Sequence, residues 1–220
     1  MPKFKDYSLY LVLSGEYCPQ KDLLEIAGEA IAGGVDCIQM REKTMPHEEL
    51  ISLGFALKEC CRRHGVLFIV NDDPVLAHEI GADGVHVGQE DMVHFSIPAT
   101  RRIIGKDKII GVSTHSLEQF KLANDLDVDY IAFGPLFSTQ TKNYAIGTKD
   151  LPEVLRSAQK PVVCIGGINE QNISEVLGLG ARNIAVIRRI MQAEDTTAAA
   201  KTLKHMIVER KKDGAHTDQR

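Results

Sequence analysis

The sequence has no surplus of positive charge. Its 26 Lys and Arg residues stand against 30 Asp and Glu, a formal charge of −4. Nucleic-acid binders usually carry a basic excess, so no nucleic-acid partner is expected. Long apolar runs are also missing: nothing approaches the ~18–20 residues that cross a bilayer, and no membrane partner is expected. The basic start leads into only a short apolar stretch, Leu9 to Leu13, with Glu16 close behind. Secretory h-regions run ~7–15 residues, so a signal peptide is not expected. The five cysteines (Cys18, Cys37, Cys60, Cys61 and Cys164) form no C-x-x-C pair and do not cluster with histidine. That pattern argues against both a disulfide framework and a zinc site. A reduced, cytoplasmic chain is the expectation, with Cys37 and Cys164 buried in strands.

What is present is a globular composition, 44% apolar and 25% charged over 220 residues, which excludes wholesale disorder. Apolar runs rich in β-branched residues alternate with helix-period segments. The strands expected are Leu9–Leu13, Cys37–Met40, Leu67–Val70, Gly84–Val87, Ile109–Val112, Tyr130–Phe133, Val162–Ile165 and Asn183–Ile187. Leu50, Leu53, Leu57 and Cys61 recur at helical spacing between the second and third, as do Ile173, Val176, Leu177 and Leu179 before the eighth. Near-continuous apolar strands between helices imply a parallel sheet covered on both faces.

Four helix-to-strand junctions look alike: GGVDCIQM, IGADGVHV, LDVDYIAFG and LGARNIAVI. Val35, Ala82, Val128 and Ala181 mark them, 47, 46 and 53 positions apart, with another strand inside each gap. The βα unit is then about 23–24 residues, and eight units fill the chain. A doubly wound open sheet would not explain a fourfold pattern on alternate strands, whereas barrel interiors are layered by odd and even strands. The expected fold is α/β, a single (β/α)8 TIM barrel over residues 1–210. Residues 211–220 are read as a polar, frayed C-terminal tail.

Barrels of this kind build their working face at the C-terminal ends of the strands. Polar residues collect at those points: Gln39-Met40-Arg41-Glu42-Lys43, Asn71-Asp72-Asp73, Gly88-Gln89-Glu90-Asp91, Ser113-Thr114-His115, Ser138-Thr139-Gln140-Thr141-Lys142, Gly166-Gly167-Ile168 and Ile187-Arg188-Arg189. Each alone could be a cap or a solvated charge; recurrence at seven strand ends makes a purely structural account insufficient. Asp72 and Asp91 could together hold one hard cation, and two carboxylates with waters and phosphate oxygens suit Mg²⁺. Asp73 before Pro74 reads better as a helix cap. Arg41, Lys43 and Lys142 could clamp a pyrophosphate. Gly166 and Gly167 would let backbone N–H groups approach a second anion, with hydroxyls from Thr139 and Thr141.

The segments QMREK, NDDPVLAHEIGADGVHVGQED, IIGVSTHS, DYIAFGPLFSTQTK and CIGGI, in this order, resemble the thiamine phosphate synthase family over roughly residues 8–205. The resemblance implies a (β/α)8 enzyme that joins hydroxymethylpyrimidine pyrophosphate to hydroxyethylthiazole phosphate with Mg²⁺, releasing pyrophosphate. It implies Asp72 and Asp91 as metal ligands. It places the pyrimidine substrate on Gln39, Met40, Arg41, Glu42, Lys43, Asn71, Ser113 and Lys142. The thiazole phosphate falls to Thr139, Gln140, Thr141, Gly167, Ile187 and Arg188. Arg41, Lys43, Lys142 and Ser113 are the catalytic set. Arg188 departs from the small residue, often Ser, that the family usually carries there. Other readings stay open: a thiazole tautomerase, which shares the barrel and often lacks the metal and pyrophosphate residues, or a non-catalytic regulator binding thiamine intermediates. A generic phosphate-binding isomerase would need an acid–base pair, and none stands out. His115 lies where the tautomerase has a proton-moving His, but synthases can carry one too. His47, His64, His78, His94, His205 and His216 read as surface or helix residues and His86 as mid-strand, none with a role. No motif fixes an oligomeric state, so a homo-oligomer stays compatible with the sequence. Lys142→Ala should lower kcat by ~10²-fold or more in steady-state assays, as for a lost transition-state contact. A change below about threefold would remove Lys142 from that role.

Overall fold

The computed structural model describes residues 4, 7–18, 20–139 and 144–217, the stretch 211–217 by its backbone alone. Eight parallel strands close into a barrel in sequence order. They are β1 Leu9–Leu13, β2 Cys37–Met40, β3 Leu67–Asn71, β4 Gly84–Val87, β5 Ile109–Thr114, β6 Tyr130–Phe133, β7 Val162–Ile165 and β8 Asn183–Val186. The connecting helices are α1 Leu23–Ala32, α2 His47–His64, α3 Pro74–Ile80, α4 Ile97–Ile104, α5 Leu117–Asn124, α6 Leu151–Ser157 and α7 Ile173–Gly178. A short α8, Arg188–Met191, and a long α9, Thr196–Thr217, complete the ring. All eight expected strands are present. Three differ at their ends: β3 continues to Asn71 and β5 to Thr114, while β8 stops before Ile187. The segment read as a frayed tail differs more, because α9 runs helically through it as far as Thr217.

Alternation along the strands sorts the core into two compartments. Tyr10, Val12, Cys37, Leu67, Ile69, Ile109, Tyr130, Ala132, Val163 and Ala185 form one buried cluster, the barrel interior, joined by Phe4. Their neighbours Leu11, Ile38, Phe68, Val112 and Ile131 point outward to a second, larger cluster. There they meet helical residues such as Ile26, Leu57, Cys61, Phe120 and Val176, all fully buried. Each such aliphatic or aromatic side chain contributes about 1.5–3 kcal/mol by leaving water. Turn chemistry agrees with this layering. Asp73 caps α3, its carboxylate accepting from the N–H groups of Val75 and Leu76 at 2.9 Å.

The fourfold repeat has a physical origin at the opposite, N-terminal end of the barrel. Asp36, Asp83 and Asp129 immediately precede β2, β4 and β6. Each stands beside one residue of the preceding odd strand: Leu9, Phe68 and Ile110. The Asp backbone N–H donates to that residue's carbonyl, at 2.9, 2.9 and 2.7 Å. Its carboxylate then accepts the same residue's N–H, at 3.0, 2.9 and 2.8 Å. One side chain thus completes a double link that pins two parallel strands in register. At the fourth junction Arg182 occupies the aspartate's place. There Asn183 substitutes, its Nδ2 donating to the Val162 carbonyl at 3.0 Å. Lys204 of α9 neutralises Asp36 at 2.5 Å, and Arg101 of α4 neutralises Asp129 at 2.9 Å.

Asp129→Ala should strip Ile110 of its carboxylate acceptor and Arg101 of a counter-charge. A buried donor left unpaired costs about 1–3 kcal/mol. Urea unfolding of the variant should show that loss with an unchanged m value; a loss below about 0.5 kcal/mol would mean that the link does not hold the register.

Candidate active site

The barrel's C-terminal mouth opens into a cavity of about 590 Å³. Its lining follows from inward parity: where Tyr10, Cys37 and Ile109 face inward, so do residues two or four positions on. Gln39, Arg41, Asn71, Ser113, Gly167 and Ile187 all reach the cavity, as do Thr139 from the loop after β6 and Arg188 from the start of α8. Eight of the candidate substrate-binding residues therefore converge on one space. Gln140, Thr141 and Lys142 lie outside the described residues.

Five of the expected residues, Met40, Glu42, Lys43, Asp72 and Asp91, do not line that cavity. Met40 has outward parity and is buried in the core between barrel and helices, so its side chain faces away from the cavity. Glu42 accepts the backbone N–H of Gly15 at 2.5 Å, tying the loop after β1 to the loop after β2. Burial holds its carboxyl above the usual range despite that bond and the nearby Arg41 charge. Asp72 and Asp91 form a separate acidic pair at the rim. Asp72 has φ 63°, a left-handed backbone that asparagine and aspartate tolerate better than most residues. There its Oδ1 accepts the Gly88 N–H at 2.9 Å, and its Oδ2 accepts from the Asn71 amide. Asp91 hydrogen-bonds Asp72, and burial together with the Asp72 charge holds its carboxyl above the ordinary range. The charge of the exposed Lys43 pulls the other way.

Gly88 lets the two carboxylates meet: a Cβ there would fall 2.7 Å from Asp91 Oδ2 and 3.3 Å from Asp72 Oδ1. Among the described residues no group of three or more His, Cys, Asp or Glu side chains could hold a metal. Two adjacent carboxylates, one of them raised by burial and by its neighbour's charge, nonetheless fit a hard divalent cation that takes its other ligands from water and substrate oxygens.

Three cationic side chains define the rest of the mouth. Arg41 Nη1 is buried and makes no hydrogen bond among the described residues, although the exposed Glu16 carboxylate stands 3.5 Å away. Arg188 projects into the cavity. Its guanidinium lies 4.3 Å over the Tyr17 ring, and its Nη1 is 3.5 Å from Thr139 Oγ1. Arg189 is engaged elsewhere, pairing with Glu170 at 2.5 Å. Gly166 and Gly167 both have positive φ, 101° and 67°. They also pack tightly: added Cβ atoms would strike Pro135 at 2.3 Å and the Ser138 carbonyl at 2.6 Å. Their lack of side chains therefore serves the close approach of the loop after β6.

Sequence reasoning missed the cavity floor. His86 was read as a mid-strand residue without a role, yet it lines the cavity beside Tyr10 and Tyr130. A continuous chain of hydrogen bonds runs there. Gln39 Nε2 donates to Tyr10 Oη at 2.7 Å, and the two tyrosine hydroxyls are 3.0 Å apart. Tyr130 Oη is 2.8 Å from His86 Nδ1, and His86 Nε2 is 2.9 Å from Ser113 Oγ. The signal was available, since His86 shares inward parity with Gln39, Asn71 and Ser113. His115 also reaches the cavity, its Nδ1 2.5 Å from the Gly134 carbonyl and its ring edge-on to Tyr144.

The comparisons with known proteins fit this geometry. Residues 9–190 match the family model described as thiamine monophosphate synthase. The chain belongs to that family. A thiamine-phosphate synthase of Persephonella marina is 38% identical over 204 residues, covering 92% of this chain and 96% of that one. One from Shouchella clausii is 41% identical over 202 residues, with 90% and 95% covered. The solved thiamine phosphate pyrophosphorylase from Pyrococcus furiosus superposes with a TM-score of 0.85 at 36% identity, over 93% of this chain and 97% of that chain. A 3-hexulose-6-phosphate synthase at 20% identity and a TM-score of 0.61 shares the barrel.

Burial, with a smaller contribution from the His115 charge, pushes His86 down to about 4. Its unfolded value is about 6.5, so the native state resists protonation. The resulting stability is complete above pH ~6.5 and is lost as pH falls towards 4. Between pH 7 and pH 4.5 the wild-type chain should lose about 2–3 kcal/mol more than His86→Gln in urea titrations. Equal losses would show that His86 does not resist protonation in the folded state.

Proposed function

We propose that the protein joins hydroxymethylpyrimidine pyrophosphate to hydroxyethylthiazole phosphate, giving thiamine phosphate and pyrophosphate. The family match over residues 9–190 carries this reading. The site chemistry supports it: cations and an acidic pair stand at one mouth of a cavity whose deeper walls are apolar or neutral. A phosphorylated heterocycle has that same division, a charged end and a flat, weakly polar ring.

The reaction is alkyl transfer. The carbon–oxygen bond at the pyrimidine methylene breaks, and its electron pair leaves with the pyrophosphate. The thiazole nitrogen supplies the pair that forms the new carbon–nitrogen bond. That nitrogen attacks with a free lone pair, so no general base is required and none of the histidines need act as one. The aminopyrimidine can delocalise positive charge on the methylene, which favours a loose transition state. The protein's task is then to hold two rings in line and to stabilise charge on the departing oxygen.

Arg41 suits the second task, because its buried Nη1 lacks a hydrogen-bond acceptor among the described residues and a pyrophosphate oxygen would supply one. Lys43 and Lys142 add charge to the same group. Asp72 and Asp91 would hold Mg²⁺, which when bound supplies positive charge to the pyrophosphate. Gln39, Asn71 and Ser113 orient the pyrimidine from the floor and walls. Thr139, Gln140, Thr141, Gly167 and Ile187 receive the thiazole phosphate. Arg188 gives that second anion site a guanidinium, held ready by the Tyr17 ring. Among the described residues no helix is long and apolar enough to cross a membrane. Both substrates are small, charged phosphate esters, and we place the reaction in the cytoplasm.

Mixing both phosphorylated heterocycles with the protein and Mg²⁺ should give thiamine phosphate and one equivalent of pyrophosphate. Excess EDTA should abolish the product, and added Mg²⁺ should restore it. Absence of product under every condition would overturn the reading. Undiminished product in EDTA would remove the metal from it.

A further inference from the structure

The floor of the cavity contains more order than substrate contact requires. Tyr10 and Tyr130 are fully buried, and Phe4 stacks on the Tyr130 ring at 4.1 Å from the side away from the cavity. Room for Tyr130 comes from Gly111 on β5: a Cβ there would lie 2.0 Å from Tyr130 Cζ. These contacts fix one tyrosine hydroxyl against the imidazole of His86 in a place sealed from water. A neutral imidazole has one donor and one acceptor nitrogen, and its partner on one side decides what it presents on the other.

The order of protons along the chain follows from its far end. Gln39 Nε2 can only donate, so Tyr10 Oη accepts there and must place its own proton elsewhere. The outlets are Tyr130 Oη and the Cys37 thiol, which also hydrogen-bonds Tyr10. Sulfur is a weak acceptor, so the oxygen is favoured. Tyr130 then donates to His86 Nδ1, His86 Nε2–H donates to Ser113 Oγ, and every strong donor inside the protein meets oxygen or nitrogen. Reversed, the chain would end with a tyrosine proton on a thiol.

We propose that His86 is a positioning residue: held by Tyr130 in the Nε2-protonated form, it donates to one lone pair of Ser113 Oγ and leaves the Ser113 hydroxyl proton directed into the cavity. Ser113 thereby presents a donor to the cavity and favours a substrate carrying a hydrogen-bond acceptor at that point. The proposal rests on the reading of Ser113 as a substrate-binding residue.

Steady-state kinetics of Ser113→Ala, His86→Asn, His86→Gln, Tyr130→Phe and the double variant S113A/H86N test it. Loss of one such hydrogen bond corresponds to about a tenfold effect. Ser113→Ala and His86→Asn should each raise KM for the pyrimidine substrate ~10-fold and leave KM for the thiazole phosphate within twofold. Gln places a donor amide near the Nε2 position, so His86→Gln should recover to within about threefold of wild type. Because His86 acts through Ser113, the double variant should be no worse than Ser113→Ala alone. Nitrogen-15 NMR of histidine-labelled protein should report His86 protonated on Nε2. Additive effects in the double variant, or protonation on Nδ1, overturn the proposal. If wild type makes product but Ser113→Ala is silent, the substrate-binding role of Ser113 fails instead, and this proposal with it. Should His86→Asn not fold, Tyr130→Phe, which keeps the ring, takes its place in the cycle, and the NMR readout stands on the wild-type protein.

Discussion

Eight parallel strands have to agree on a register, because a slip of one residue turns every inward side chain outward. In this barrel the agreement is enforced at the end remote from the chemistry. The carboxylates of Asp36, Asp83 and Asp129 each accept the N–H of the residue whose carbonyl their own backbone already binds. Once Leu9, Phe68 and Ile110 are fixed, so is everything above them. Tyr10, His86 and Ser113 must then face the interior, and Leu11, Val85 and Val112 must face the helices. The active-site floor is therefore a consequence of three hydrogen bonds at the opposite end of the strands. Asn183 bonding the Val162 carbonyl serves the fourth junction by a different group. Register needs a polar atom of the right reach rather than one residue type.

Charge is handled with similar economy. A chain with formal charge −4 can bind two phosphorylated molecules because the cations are placed locally and the carboxylates are given other work. Glu42 is spent on the Gly15 N–H and Glu170 on Arg189, while Asp72 and Asp91 face one another. That leaves Arg41 and Arg188 turned to the cavity. The two arginines are held by neighbouring residues of one short turn: Glu16 stands 3.5 Å from Arg41, and the Tyr17 ring lies under Arg188. The loop after β1 thus links the two cationic sides of the mouth. An exposed carboxylate at that distance is a weak partner, and a substrate phosphate would displace it readily.

Much of this was legible in the chain. Eight apolar β-branched runs gave the strands to within a residue or two, because strands buried on both faces must be apolar throughout. The ~47-residue spacing of Val35, Ala82 and Val128 marked every second strand, though its cause was hidden. That cause is a contact between each Asp and a strand residue 15 to 27 positions earlier, which no local pattern reveals. Polar residues at the strand ends pointed to the mouth, and Gln39, Arg41, Asn71, Ser113, Thr139 and Arg188 among them line it. Met40 was swept in with its neighbours in QMREK, although parity alone turns it outward. His86 was passed over because a histidine inside an apolar strand looks like core until its partners on β5 and β6 are seen.

The sequence by itself determined the barrel, the order of its strands and the residues offered at its C-terminal face, because period and composition act along the chain. Tertiary structure decided which of those residues meet. Asp72 and Asp91 become a pair only because Gly88 has no side chain to separate them. Tyr130 reaches His86 only because Gly111 leaves its ring a place to lie. Side-chain volume and hydrogen-bond direction act across strands far apart in sequence, so they are settled only once the barrel has closed.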